Sequence, residues 1–404
     1  MKEKILMLCY RRPYPVVSGA EIRMFQFIEV LSEYYRVDVL YLDESHDEPD
    51  LSGLTQKTGF ALPFRVSKFR RLVQSAFAYV FDNKPLQIGY FHSVSMQKWI
   101  NAHAKEYPMI LCMHVRTVEY ALQAKRKGKL SPDCKLYLDG IDAISMHYLH
   151  TYQVSKGIKK LINGMEYRRM KQYEKTAFES VDCSTLISER DRDYIVGELK
   201  ADCSPKLIYN YAIDFGYNPQ ITQKPYTLFF MGKMNYQPNV DAITHFVPAV
   251  YDRLKADFPA LQFHIAGGYA TDEIKKLQSH DGVKVCGFID NPSEEMQKAT
   301  LVVAPMISGS GLQNKIVQAM YLGCPVVTTT IGADGLADVR KEELLVAEDD
   351  EQLYQILKTY LAPDKEAERR LIGNRAREYI MTHYSYSNVK KQIEEAFSIN
   401  TKDV

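Results

Sequence analysis

Residues 301–336 read LVVAPMISGSGLQNKIVQAMYLGCPVVTTTIGADGL. The apolar run from Leu301 to Ala304 has the length of a strand. A loop holding Gly309 and Gly311 follows. Residues 312–322 show the apolar spacing of an amphipathic helix, and the run Pro325 to Thr329 predicts a second strand. The stretch is therefore a βαβ unit of a parallel sheet. Glycines just ahead of a helix let backbone N–H groups approach an anion, and the helix dipole favours one there. A bare Gly-x-Gly also serves any tight turn. Lys315 adds more: a cation in the first helical turn opposes the dipole, and a bound phosphate would offset that.

Working outward, a chain of 404 residues predicts two domains, three at most. Its 51 basic and 50 acidic side chains nearly cancel, which removes any global electrostatic reason to expect nucleic acid as a partner. The longest apolar runs are strand length, too short to span a bilayer. The N-terminus, MKEKILMLCY, runs straight into Arg11 and Arg12 without the apolar core of a signal peptide. A cytoplasmic chain is expected. The seven cysteines are scattered without a Cys-x-x-Cys pair, so neither a zinc site nor a disulfide framework is predicted. No catalytic triad, paired-carboxylate motif or metal cluster stands out. Asp349, Asp350 and Glu351 read as capping charge at a helix start.

Strands are predicted at Lys4 to Tyr10, Val37 to Leu42, Met109 to Met113, Leu136 to Asp139, Val181 to Ile187 and Lys206 to Tyr209, with helical stretches between them. Residues 211–226, YAIDFGYNPQITQKPY, break both periodicities and predict a linker. A second series follows, with strands at Leu228 to Met231, Phe263 to Ala266, Val283 to Cys286, Leu301 to Ala304 and Pro325 to Thr329. The expected fold class is α/β: two doubly wound Rossmann-like domains facing across a cleft, residues 1–210 and 227–382, with a final helical segment 383–404. In such sheets ligands gather at the carboxyl ends of the strands.

Several segments carry a family resemblance. Ala304-Pro305, Gly309-Ser310-Gly311, Lys315, Gln318-Ala319-Met320, Gly323-Cys324-Pro325-Val326-Val327 and Gly332-Ala333-Asp334-Gly335-Leu336 resemble the donor-nucleotide signature of retaining GT-B glycosyltransferases of family four (glycosyl transferases group 1). Met231 to Ala242, MGKMNYQPNVDA, resembles the opening of that family's second domain, and Cys286-Gly287-Phe288-Ile289-Asp290 its base-reading segment. The resemblance implies donor contacts from Gly232, Lys233, Gly287, Phe288, Pro305, Gly309, Gly311, Leu312, Lys315 and Gln318. One departure stands in the signature: Gln318 occupies the place where relatives carry a glutamate for the ribose hydroxyls.

In the first half, Arg11 to Arg23 resembles the family's loop after strand one. There Gly19 could offer N–H groups to a leaving phosphate, and Arg12 and Arg23 are candidate anion contacts, with solvated surface charge the plain alternative. Leu138 to Ser145, LDGIDAIS, resembles an Asp-x-x-Asp-x-x-Ser segment of one branch. Asp139 and Asp142 are candidates for sugar or acceptor contacts, or helix caps. His114, just past a strand, is a candidate general base or a structural histidine.

The resemblance implies a retaining, metal-independent glycosyltransferase without a resident cofactor. It would move sugar from a nucleotide-diphosphate donor, held by the C-terminal domain, to a glycan or lipid-linked acceptor held by the N-terminal domain. The final helix would cross back to the first domain. A non-catalytic nucleotide-sugar binding protein and a nucleotide-sugar epimerase of the same fold are the alternatives. Lys68 to Leu72 and Lys156 to Arg169 alternate basic with apolar residues, which fits either an exposed helix face or a peripheral contact with the inner face of a membrane.

Overall fold

The computed structural model describes residues 2–16, 19–44, 51–212, 215–309, 312–336 and 339–399. The chain divides into two compact units, Met1–Asn210 with Val389–Val404, and Tyr211–Asn388. The first unit carries a parallel sheet of β1 (Lys4–Cys9), β2 (Arg36–Asp43), β3 (Phe60–Arg65), β4 (Met109–Met113), β5 (Lys135–Ile141), β6 (Cys183–Leu186) and β7 (Lys206–Leu207). Their order across the sheet is β3-β2-β1-β4-β5-β6-β7. The central strands KILMLC and MILCM are buried almost throughout, because helices cover both faces and leave no solvent side for polar alternation.

The second unit repeats the plan with β8 (Thr227–Met231), β9 (Gln262–Ala266), β10 (Val283–Gly287), β11 (Leu301–Ala304), β12 (Val326–Thr329) and β13 (Leu345–Ala347). Their order is β10-β9-β8-β11-β12-β13. In each sheet the first strand lies between the second and the fourth, so strand addition reverses there and opens a crevice at the carboxyl ends. Leu301–Ala304 and the strand after it pair in parallel, Val302 opposite Val326. The βαβ reading of residues 301–336 therefore holds, with the helix shortened to Asn314–Tyr321.

Two strands escaped the sequence reading. β3 (FALPFR) contains Pro63 and is only half-buried; it is an edge strand, where a missing N–H costs little. β13 has three residues and lies at the opposite kind of edge, in the second sheet. The helix Tyr386–Ala396 starts in the second unit and, from Val389 onward, belongs to the first. Phe397 stacks on Tyr137 at 4.5 Å. All seven cysteines are free. Among the described residues no helix is long and apolar enough to cross a membrane.

Candidate functional site

At the switch point of the second sheet, Lys315 occupies the first turn of the Asn314–Tyr321 helix. Its ammonium donates to Asn239 Oδ1, lies 3.5 Å from the Met306 sulfur and sits 4.5 Å from the Phe230 ring centroid. Phe230 comes from β8, Met306 from the loop after β11, and Asn239 from the helix Gln237–Phe246. Among the described residues no carboxylate pairs with this cation. Burial therefore acts unopposed and brings the Lys315 pKa down to about 7. The surface of the side chain is only partly buried, but its charged end sits among neutral partners.

Asn239 is held in turn by donation from Nδ2 to the Lys233 carbonyl, 3.0 Å away. Two glycines bring the backbone close here. A Cβ on Gly232 would lie 2.6 Å from Asn239 Nδ2. Gly267, at φ +139°, would place a Cβ 1.7 Å from the Gly232 carbonyl oxygen, so no side chain fits between the ends of β8 and β9.

A second group lines the ends of β8, β9 and β10. Gly287, at φ +67°, turns the chain to Phe288, which is 76% exposed. Phe288 meets Tyr269 edge-on at 5.5 Å, and the Lys233 ammonium lies 5.5 Å from the Tyr269 ring centroid. Two open aromatic rings beside an exposed cation can stack a planar base and neutralise an attached phosphate. Pro305 is buried directly after β11, and Leu312 is half-buried. Gly309 has φ +117°, a conformation that favours glycine. Gly311 lies outside the described residues. Gln318 Nε2 donates to Ser293 Oγ at 3.3 Å. Sequence reading missed Tyr269, in the loop after β9, and Ser293, in the first turn of the helix Pro292–Lys298, which carry no local signal. Asn239 stood inside the quoted segment, but its grip on Lys315 shows only in three dimensions.

The first unit corrects several expectations. Arg23 and Asp139 are not open to a ligand. They form a fully buried bidentate pair, Nε to Oδ2 at 3.0 Å and Nη2 to Oδ1 at 2.7 Å. Thr185 donates to the same carboxylate at 2.7 Å, and Arg23 also donates to the Ile208 carbonyl. Burial of one charge is tolerated because the other neutralises it. Arg12 is paired too, at 2.8 Å from Asp43, which also receives Arg65 at 3.2 Å. Gly19 is the first residue of the helix Gly19–Tyr34, and Val17 and Ser18 before it lie outside the described residues. Neither Asp139 nor Asp142 caps the helix Ile144–Val154. Glu174 does so from another helix, accepting from the amides of Ile144 and Ser145 at 2.6 and 3.0 Å, while Asp191 accepts from Ala143 at 2.9 Å.

His114 stands at the switch point of this sheet, after β4, with φ +75°. It is buried, and desolvation, reinforced by the Arg116 charge, holds its pKa well below the ordinary value. Its Nδ1 accepts from the Arg116 amide at 3.3 Å, so the neutral ring carries its proton on Nε2, 3.8 Å from Asp142 Oδ1. Its proton on Nε2 thus faces the Asp142 carboxylate. His147, which sequence reading missed five residues past Asp142, meets the other Asp142 oxygen at 3.1 Å. Burial alone would raise the Asp142 pKa, but the hydrogen bond and charge of His147, with Arg116 nearby, outweigh it and bring it down to about 2. Asp142 is thus a fixed anion, and the same hydrogen bond raises the pKa of His147.

Known proteins share this fold. Sucrose-phosphate synthase from Thermosynechococcus elongatus superposes with a TM-score of 0.71 at 15% identity, covering 98% of both chains. Anabaena HepE, in its complex with UDP and glucose, superposes with a TM-score of 0.66 at 15% identity, covering 98% of this chain and 99% of HepE. The chain has the GT-B fold. Within it, residues 225–362 match the family model of the glycosyl transferases group 1. That GT-B segment contains the Lys315 cluster and the Lys233–Tyr269–Phe288 group. Over 357 residues the chain is also 24% identical to an uncharacterized 44.6 kDa protein of the cps region of Klebsiella pneumoniae, covering 86% of this chain and 88% of that one.

Proposed function

We propose that the protein is a retaining, metal-independent glycosyltransferase using a nucleotide-diphosphate sugar. The observation that carries this is Lys315: a cation with only neutral partners, at a sheet switch point, in a segment matching the group 1 glycosyl transferases. A diphosphate there supplies the missing anion and restores the charge that burial suppresses. Lys233 adds a second cation, and Phe288 with Tyr269 offers stacking for the base. On this reading the sugar's anomeric carbon leaves the diphosphate oxygen and bonds the acceptor oxygen on the same face. The acceptor proton passes to the departing phosphate, so the protein need supply charge and geometry more than an acid–base pair. The acceptor is a glycan or lipid-linked sugar of polysaccharide assembly, in keeping with the cps-region relative.

Calorimetric titration with UDP-, GDP- and ADP-sugars tests the donor role, and product analysis with and without acceptor tests transfer. Binding of one donor, with its turnover requiring acceptor, is expected. Failure to bind any of them overturns the proposal, and donor isomerisation without acceptor would indicate an epimerase. A binding protein without transfer is the second reading. It is favoured by Gln318, a neutral amide bonded to Ser293, which contacts ribose hydroxyls without a carboxylate's charge assistance.

A further inference from the structure

The helix Lys68–Phe81 of the first unit is packed the wrong way round for a soluble surface. Its inward side consists of Arg71, Ser75 and Ala78. Ser75 donates to the Leu86 carbonyl at 2.6 Å, and a Cβ on Gly89 would come within 2.7 Å of Ser75 Cα, so this small, polar side is tightly seated. The outward side carries Phe69, Leu72, Val73, Phe77, Val80 and Phe81, each more than half exposed. An amphipathic helix normally buries its large apolar stripe. Here that stripe faces out, with none of the described residues covering it.

A second helix continues the patch. Ile158, Leu161, Ile162 and Met165 are exposed on the helix Gly157–Glu179. Ile158, Ile162 and Met165 share a stripe with Arg169 at helical spacing. Arg169 lies 3.5 Å from the Tyr79 ring centroid and donates to the Tyr79 carbonyl, which joins this stripe to the first helix. The hydrogen bonds from Ile144 and Ser145 to Glu174 fix where the hairpin of Ile144–Val154 and Gly157–Glu179 leaves the carboxyl edge of the sheet. From Glu174 back to Gly157 the helix runs on the order of 25 Å at about 1.5 Å per residue, so the apolar tip stands well beyond that edge.

Charge decides what would cover such a patch. No Asp or Glu occurs from Val66 to Phe81 or from Ala143 to Met165. Exposed Lys68 and Arg70 flank the first stripe, and exposed Lys156, Lys159 and Lys160 flank the second. A second copy of the chain docking here about a twofold axis would bring like charges together. An anionic bilayer meets both needs, with apolar side chains entering the headgroup region and lysines on lipid phosphates. We propose that these two helices dock the first unit on an anionic membrane surface. This deepens the reading of a lipid-linked acceptor and rests on it for its purpose, but its test does not depend on donor binding.

Flotation with vesicles of phosphatidylcholine alone, or with phosphatidylglycerol added, measures the contact. The full chain is expected to bind the anionic vesicles at least about tenfold more strongly than the neutral ones, and less as salt rises. The triple variant Phe69→Ser, Phe77→Ser, Phe81→Ser alters only exposed positions; its unfolding midpoint should match the parent while vesicle binding falls at least tenfold. Lys156→Glu, Lys159→Glu, Lys160→Glu should remove the preference for anionic lipid. Absence of binding to either vesicle, equal binding to both, or unchanged binding by the serine variant overturns the proposal. So would a solution dimer of the parent that the serine variant abolishes. Donor titration of the same variants reads the transferase site separately and should be unchanged.

Discussion

The carboxyl edges of the two sheets use positive charge in opposite ways. In the first unit Arg23 meets Asp139 and Arg12 meets Asp43, each cation supplied with a carboxylate by the fold itself, and His147 meets Asp142. In the second unit Lys315 is given an amide, a thioether and an aromatic ring. The first set is neutralised and holds structure together. The second has no carboxylate among the described residues, and burial lowers its pKa. The same topology thus carries one edge whose cations are neutralised and one, on the proposed function, that binds the donor, and partner chemistry separates them.

The largest expected effect breaks the first edge. Asp139→Asn strands the fully buried Arg23 guanidinium, and urea unfolding near neutral pH should show a loss of about 3–5 kcal/mol. A loss below about 1 kcal/mol would mean that the pair is not what satisfies Arg23.

The opposite sign is expected at the second edge. Lys315→Met removes a cation the fold does not neutralise, so stability should rise by about 1 kcal/mol or more near neutral pH. Affinity for a nucleotide sugar should fall by about 100-fold, as for loss of a charge-assisted contact. Equal affinity in the variant would show that the diphosphate does not use this lysine.

The pH dependence sharpens the contrast. The folded pKa of Lys315, about 7, lies below its ordinary 10.5, so the unfolded chain holds more protons between those values. Stability from this group therefore rises with pH across that window. The stabilisation gained in Lys315→Met should be fully present below pH 7 and fade toward pH 10.5. Donor binding favours the protonated lysine, so affinity should weaken as pH climbs from about 6 to about 8.5, with proton uptake on binding visible by calorimetry in buffers of different ionisation enthalpy. A flat affinity profile in the parent would break the assignment.

The smallest effect concerns Gln318. Gln318→Glu should strengthen donor binding by up to about tenfold, the margin of a charge-assisted hydrogen bond over a neutral one. A weakened affinity would show that the site depends on the amide's own donation.

Residues 301–336 determined a great deal unaided. Strand-length apolar runs and a helical period forced a βαβ unit, because burying a parallel strand on both faces leaves a continuous apolar signature. The lysine after the glycine loop pointed to the proposed anion site from the local sequence alone. Edge strands β3 and β13 stayed hidden, since half-burial and a proline erase that signature. Tertiary structure alone decided which charges were still available. Arg23 and Lys315 look alike in the sequence as cations near helix starts, and only the fold brings Asp139, 116 residues away, to one and withholds a carboxylate from the other. It likewise turned the Lys68–Phe81 helix apolar side outward, an orientation that periodicity cannot give, because a period fixes that a face exists and packing fixes where it points.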